Sequence, residues 1–227
     1  MLLKSYGYRG WWPLQRQAGI NGFDDQGYHP QNYDLPVRFR DKFEIIAGAV
    51  LTQNTSWINV KKALHQLSEN KLLTPQAILA FPEADLAALI RASGYYNQKA
   101  RKLKAISQFF LENKLTGSRA IPTRESLLRV WGIGEETADS ILLYAYNVPV
   151  FVIDAYTERI FSRIGLAGKK TGYAELQKLF QEKLPGDYIL FNEYHALIVA
   201  HGKDICKTKP LCTSCVLRKL CRYFMAL

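Results

Sequence analysis

The sequence has little that would place it in a membrane, a secreted scaffold or a β architecture. No apolar run approaches the roughly 20 residues of a membrane span. The opening Met1-Leu2-Leu3-Lys4-Ser5-Tyr6 lacks the long apolar core of a signal peptide. Cysteine is missing until residue 206 and then occurs four times up to residue 221. A secreted disulfide framework would spread its cysteines, so the expectation is an intracellular protein with one local metal site. Internal repeats, low-complexity tracts, nucleotide-binding motifs and catalytic triads are missing too. His29, His65, His195 and His201 show no shared ligand spacing. Acidic side chains are the minority, 20 against 30 basic ones, for a net charge of +10. That balance favours an acidic partner, and nucleic acid is the commonest. What is present fits a globular chain: 227 residues, 48% hydrophobic and 22% charged, enough for a sizeable core in one or two domains.

Most of the chain reads as helices joined by short Gly/Pro/Asn turns. Phe43, Ile45, Ile46, Val50 and Leu51 form an apolar stretch, and Trp57, Val60, Leu64 and Leu67 follow at helical spacing. Thr74-Pro75 reads as an N-cap and first-turn pair. Further stripes run through Ala100, Leu103, Ile106 and Phe110, through Tyr173, Leu176, Phe180 and Leu184, and through Leu190, Tyr194, Leu197 and Ile198. The best strand candidate, Val148-Pro149-Val150-Phe151-Val152-Ile153, is short and contains proline. The fold class read from these patterns is all-α. Residues 14–36, rich in Gly, Asp and Asn, read as a long loop.

One stretch carries more chemistry than the rest. In Gly132-Ile133-Gly134-Glu135-Glu136-Thr137-Ala138 a Gly-x-Gly turn joins two helical patterns. Thr123 caps the first, with Leu127, Leu128 and Trp131 as its apolar positions, and Ala138, Ile141, Leu142 and Ala145 mark the second. Such a turn presents backbone N–H groups to an anion at the positive end of a helix dipole. Twenty residues after Gly134 comes Asp154, in Val152-Ile153-Asp154-Ala155-Tyr156, either a helix N-cap or a catalytic carboxylate.

The cysteines follow the pattern Cys206-x5-Cys212-x2-Cys215-x5-Cys221. Zinc and a [4Fe-4S] cluster both accept four sulfurs. Structural zinc sites usually pair their cysteines as two CxxC units, and only Cys212 and Cys215 are so paired, which tilts the choice toward iron–sulfur. The same segment holds Lys203, Lys207, Lys209, Arg218, Lys219 and Arg222, either a phosphate-contacting loop or a solvated charged face.

Hairpin, second helix, short apolar run and Asp at this spacing resemble the helix-hairpin-helix DNA glycosylases of the endonuclease III superfamily. Trp11-Trp12-Pro13, Gly48-Ala49-Val50-Leu51-Thr52-Gln53-Asn54-Thr55 and Ser93-Gly94-Tyr95-Tyr96-Asn97-Gln98-Lys99-Ala100 resemble its 3-methyladenine DNA glycosylase branch. The resemblance implies a C-terminal [4Fe-4S] cluster on Cys206, Cys212, Cys215 and Cys221, with the first gap one residue shorter than usual. It implies that Gly132 and Gly134 contact DNA, that Gln53 fills the gap left by a flipped nucleotide and that Tyr95 wedges the opposite strand. Trp11, Trp12 and Pro13, and less strongly Phe43, match residues lining the base pocket. Aromatic faces there would attract cationic alkylated purines. Asp154 matches the catalytic carboxylate, which stabilises the oxocarbenium-like state and helps to activate water. Glu136 stands where strand-cleaving members carry a lysine, and a carboxylate cannot form the Schiff base of a lyase.

The resulting expectation is two helical lobes flanking a DNA groove, one spanning 38–149 with the hairpin, the other joining 1–37 to 150–227 with the cluster loop. The expected activity is hydrolytic removal of alkylated purines, 3-methyladenine first and 7-methylguanine second, from damaged double-stranded DNA, without a lyase step. The expected protein is a monomer without membrane contact, cytoplasmic and associated with the nucleoid. The alternatives are a uracil/thymine mismatch DNA glycosylase and a non-catalytic, redox-sensing DNA-binding protein.

Overall fold

The computed structural model describes residues 1–20, 22–117, 120–168 and 170–226. It is built of helices, with no strand among the described residues. None of its helices there is long and apolar enough to cross a membrane. The chain divides into two compact units: residues 12–148, called here the hairpin unit, and residues 1–11 with 149–227, called the cysteine unit.

The hairpin unit contains α2 (Phe39–Leu51), α3 (Trp57–Glu69), α4 (Pro75–Ala80), α5 (Glu83–Leu89), α6 (Tyr96–Glu112), α7 (Arg124–Leu128) and α8 (Glu135–Tyr146); α1 (Leu2–Tyr6) belongs to the other unit. Helix α2 is buried from Asp41 to Leu51, which accounts for its continuous rather than periodic apolar sequence. Its two buried carboxylates face Arg16: Nη2 lies 2.9 Å from Asp41 and Nε 2.9 Å from Glu44. Gly48 gives the indole of Trp12 room, since a Cβ there would stand 3.1 Å from the Trp12 Nε1 atom. Trp12 also packs edge-on against Trp57 and tilted against Tyr144, both at 5.4 Å between ring centres. These contacts explain a difference from the sequence reading. Residues 12–37, expected with the second lobe, fall in the hairpin unit. The long loop is also less open than its composition suggests, because His29 meets the carbonyls of Trp12 at 3.2 Å and of Asn32 at 2.7 Å.

The cysteine unit holds α1, α9 (Ala155–Ile164), α10 (Tyr173–Lys183), α11 (Tyr188–Asp204) and α12 (Arg222–Met225). Its core is aromatic: Phe151 stacks on Phe180 at 3.9 Å, with Phe191 and Phe161 edge-on beside them. The strand candidate at 148–153 is extended without a strand partner. Side chains satisfy its backbone instead: Gln181 accepts from the Phe151 N–H at 3.0 Å and Gln177 donates to the Phe151 carbonyl at 2.7 Å. The N-terminal segment is tied to α11. Tyr6 shares a 3.0 Å hydrogen bond with His201, the Arg9 and Gly10 amides donate to Glu193, and Asn192 donates to the Trp11 carbonyl at 2.6 Å.

Candidate functional site

Helix α7, capped by Thr123 (Ser126 N to Oγ1, 3.1 Å), ends at Leu128, three residues before Trp131. Trp131 is therefore not a helical core position: it is 52% exposed, with the Arg101 guanidinium 4.9 Å over its ring. Gly132 follows at φ +80, where a side chain would be strained. A Cβ there would also collide with the stem of Lys102, at 2.6 Å from Cγ and 2.7 Å from Cε. Gly134 is extended, exposed and has open space where a Cβ would stand; it opens α8 with no side-chain cap. The first amides of α8 are thus not capped by Gly134's own side chain, the condition for anion binding at a helix start. Glu135 and Glu136 occupy that first turn; Glu135 lies 3.3 Å from Arg124, which also grips the buried Asp139 at 2.7 Å, and Glu136 is exposed.

Gln53, in the turn after α2, is bonded into this hairpin. Its Nε2 donates to the Gly132 carbonyl at 3.2 Å and to Thr137 Oγ1 at 2.9 Å, while its Oε1 accepts from Lys102 Nζ. The side chain is thus half-buried and held rather than turned to solvent. Tyr95 sits at the tip before α6 in the left-handed region, φ +47, with 67% of its surface exposed, so core packing does not hold it. The loops bearing Gln53 and Tyr95 meet at Lys99. Its buried amine donates to the Leu51 carbonyl at 2.9 Å and the Ser93 carbonyl at 2.6 Å. Burial, with the nearby Lys102 charge, pulls that amine down to about 8.

Asp154 caps α9. Its Oδ1 accepts from the Thr157 N–H at 2.7 Å and the Thr157 hydroxyl at 2.8 Å, and its Oδ2 lies 3.6 Å from His195 Nε2. At that distance the attraction to the imidazole is Coulombic and requires the ring to be protonated. Burial pushes the carboxyl up, but His195 and the Thr157 donors pull it further down, to a net position below the ordinary Asp value of 3.8. The group is a carboxylate at neutral pH. His195, one of the four histidines without ligand spacing in the sequence, is buried next to it. Helical spacing on α11 alone could not reveal that neighbour.

The aromatic candidates separate. Phe43 is fully buried, beside Phe39 at 6.1 Å between ring centres, so it holds a core position and offers no open stacking face. Trp12 and Pro13 are buried in the hairpin unit, and Trp11, partly exposed, belongs to the cysteine unit.

Cys206, Cys212, Cys215 and Cys221 are half-buried, in no disulfide, and all line one small cavity with Ile205 and Phe224. Arg159 Nε donates to the Cys206 carbonyl at 2.8 Å, and Arg163 Nη1 reaches the Cys206 sulfur at 3.3 Å. Yet among the described residues no three such side chains are arranged to hold one metal ion. Four cysteines lining one cavity are a donor set that zinc and a [4Fe-4S] cluster both accept.

Residues 47–186 match the family model described as the HhH-GPD superfamily base excision DNA repair protein. A provisionally named DNA repair glycosylase of Methanocaldococcus jannaschii is 39% identical over 97% of this chain and 92% of its own. Among solved structures, a trapped endonuclease III–DNA covalent intermediate superposes with a TM-score of 0.74 at 27% identity, over 82% of this chain and 85% of the other. The 3-methyladenine DNA glycosylase of H. pylori bound to 1,N6-ethenoadenine gives 0.64 at 30% identity, over 75% and 87%. A helix-capping carboxylate, a glycine hairpin and a four-cysteine loop are thus held on the fold of a known repair family, and the chain belongs to the HhH-GPD superfamily as a DNA glycosylase of base excision repair.

Proposed function

We propose that the protein hydrolyses the N-glycosidic bond of alkylated purines in double-stranded DNA, 3-methyladenine first, and does not cleave the strand. The observation that carries the reading is the combination of a half-buried, ionised Asp154 capping α9 and an exposed Glu136 in the first turn of α8. An alkylated purine is cationic, so its bond to C1′ breaks with the electron pair leaving on a base that departs neutral. No acid is needed to protonate it. What the step needs is negative charge near C1′ and a proton acceptor for the attacking water, and Asp154 offers both. Glu136 has no amine, so that position cannot attack C1′ to form a Schiff base.

Similarity to the H. pylori 3-methyladenine DNA glycosylase supports the choice of lesion. The solved endonuclease III–DNA complexes support the duplex as partner. In this reading Gly134 opens α8 toward a backbone phosphate, Gln53 fills the gap left by the flipped nucleotide and Tyr95 stacks into the opposite strand. Cys206, Cys212, Cys215 and Cys221 would hold a [4Fe-4S] cluster, which when bound supplies a covalent staple for the basic loop around them. Arg159 and Arg163 hold that loop by its carbonyls.

The test is a panel of duplexes containing 3-methyladenine, 7-methylguanine, ethenoadenine, G·U or G·T, with mass identification of the released base, repeated with borohydride. Release of alkylated purines without a trapped protein–DNA adduct is expected. Release from mismatches alone would overturn the choice of lesion, and a trapped adduct would overturn the hydrolytic step.

A further inference from the structure

The side chain of Gln53 is fully engaged. An amide has two N–H donors, and both are used within the hairpin, on the Gly132 carbonyl and Thr137 Oγ1; its oxygen accepts from Lys102. A residue held by three hydrogen bonds does not leave its seat without a competitor. Lys102 is placed to meet one. Its stem packs against the face of Gly132 that lacks a Cβ, so its amine lies beside the same turn that opens α8. Against that amine stands a neutral amide oxygen. A phosphate oxygen offers the same charge-assisted bond and adds the attraction of a full negative charge for the ammonium. The like charge of Lys99, close enough to be depressed by Lys102, adds a reason for the Lys102 ammonium to move toward an anion.

We propose that Lys102 is a positioning residue that parks Gln53 on the hairpin and, when a DNA phosphate reaches the turn, transfers to that phosphate and releases Gln53 into the duplex. The inference rests on the reading above, in which Gln53 occupies the gap of a flipped nucleotide. It adds a coupling: backbone grip and nucleotide flipping share one lysine, so an undamaged backbone contact already lowers the cost of interrogation. Thr137 is the fixed half of the seat and Lys102 the movable half.

The test uses the full-length protein and a duplex with 2-aminopurine beside an abasic-site analogue, so that fluorescence reports unstacking with no bond broken. Affinity is measured in parallel across a salt series. Thr137→Val keeps shape but removes the acceptor for Gln53; the fluorescence rise should accelerate several-fold with an unchanged salt slope. Lys102→Met should lower the slope of log affinity against log salt by about 1, the mark of one lost phosphate contact. Lys102→Arg should restore it. Circular dichroism melts exclude misfolded variants. A salt slope unchanged in Lys102→Met, or a Thr137→Val signal no faster than wild type, overturns the latch while leaving the base-release assay untouched. Gln53→Ala separates the two readings. If it unstacks DNA as wild type does, Gln53 is not the inserted residue, and the latch falls with that assignment.

Discussion

Helices α8 and α9 begin in opposite ways. Gly134 opens α8 with no side chain, at an exposed position. Asp154 opens α9 with a carboxylate that takes both the amide and the hydroxyl of Thr157, at a half-buried one. Every helix start carries unsatisfied N–H groups and partial positive charge. In α8 no N-cap side chain meets that charge, and the first-turn Glu135 and Glu136 are the chain's carboxylates nearest to it; in α9 it is met by the cap carboxylate itself, whose ionised form is thereby secured. In the proposed reading the same local physics gives a binding element in one unit and a charged reactive group in the other, and the difference is one side chain.

The largest effect should come from neutralising the filled start. Asp154→Asn keeps an N-cap side chain but removes the charge, and base release should fall about a hundred- to thousandfold, measured by single-turnover kinetics, with DNA affinity retained. The wild-type acid limb sharpens the point. The folded carboxyl lies below its ordinary value, so activity and the stability linked to this group are present at neutral pH. They should be lost only as pH falls through a value below 3.8. Next is Gly132→Ala, which meets both φ +80 and the Lys102 stem. About 1–3 kcal/mol should be lost in denaturant melts, with weaker DNA binding. Gly134→Asp converts the empty start into a filled one without a steric conflict, since nothing stands within 4 Å of the new Cβ. Stability should rise by a few tenths of a kcal/mol while duplex affinity drops about tenfold. A rise in affinity would break the comparison. At Lys99 the effect appears only at alkaline pH. Its folded value near 8 against 10.5 unfolded means that stability increases as pH rises between those values, and Lys99→Met should flatten that increase.

What the sequence revealed was local. Thr74, Thr123 and Asp154 as caps, the glycine turn and the cysteine spacing all follow from residue types a few positions apart, and the structure places each cap as expected. Contacts across long separations were not legible. Val148–Ile153 looks like a strand until Gln177 and Gln181 take its backbone. Phe43 looks available until α2 proves buried on all sides. Trp131 looks like core because its spacing from Leu127 and Leu128 is helical, but α7 stops short of it. Lys102 and His195 carry no motif at all; each matters through a partner at least 41 residues away in sequence, Gln53 for one and Asp154 for the other.

The buried ammonium of Lys99 deserves a mechanical description. The carbonyl that ends α2 and the carbonyl that precedes Gly94 hang from one nitrogen, so the prongs tipped by Gln53 and Tyr95 share a rivet. Two loops joined in that way cannot open independently. Whatever the two residues do to a double helix, they do as a single two-tined fork of fixed gauge, and the spacing of the strands it can straddle is set deep inside the protein rather than at the surface that meets them.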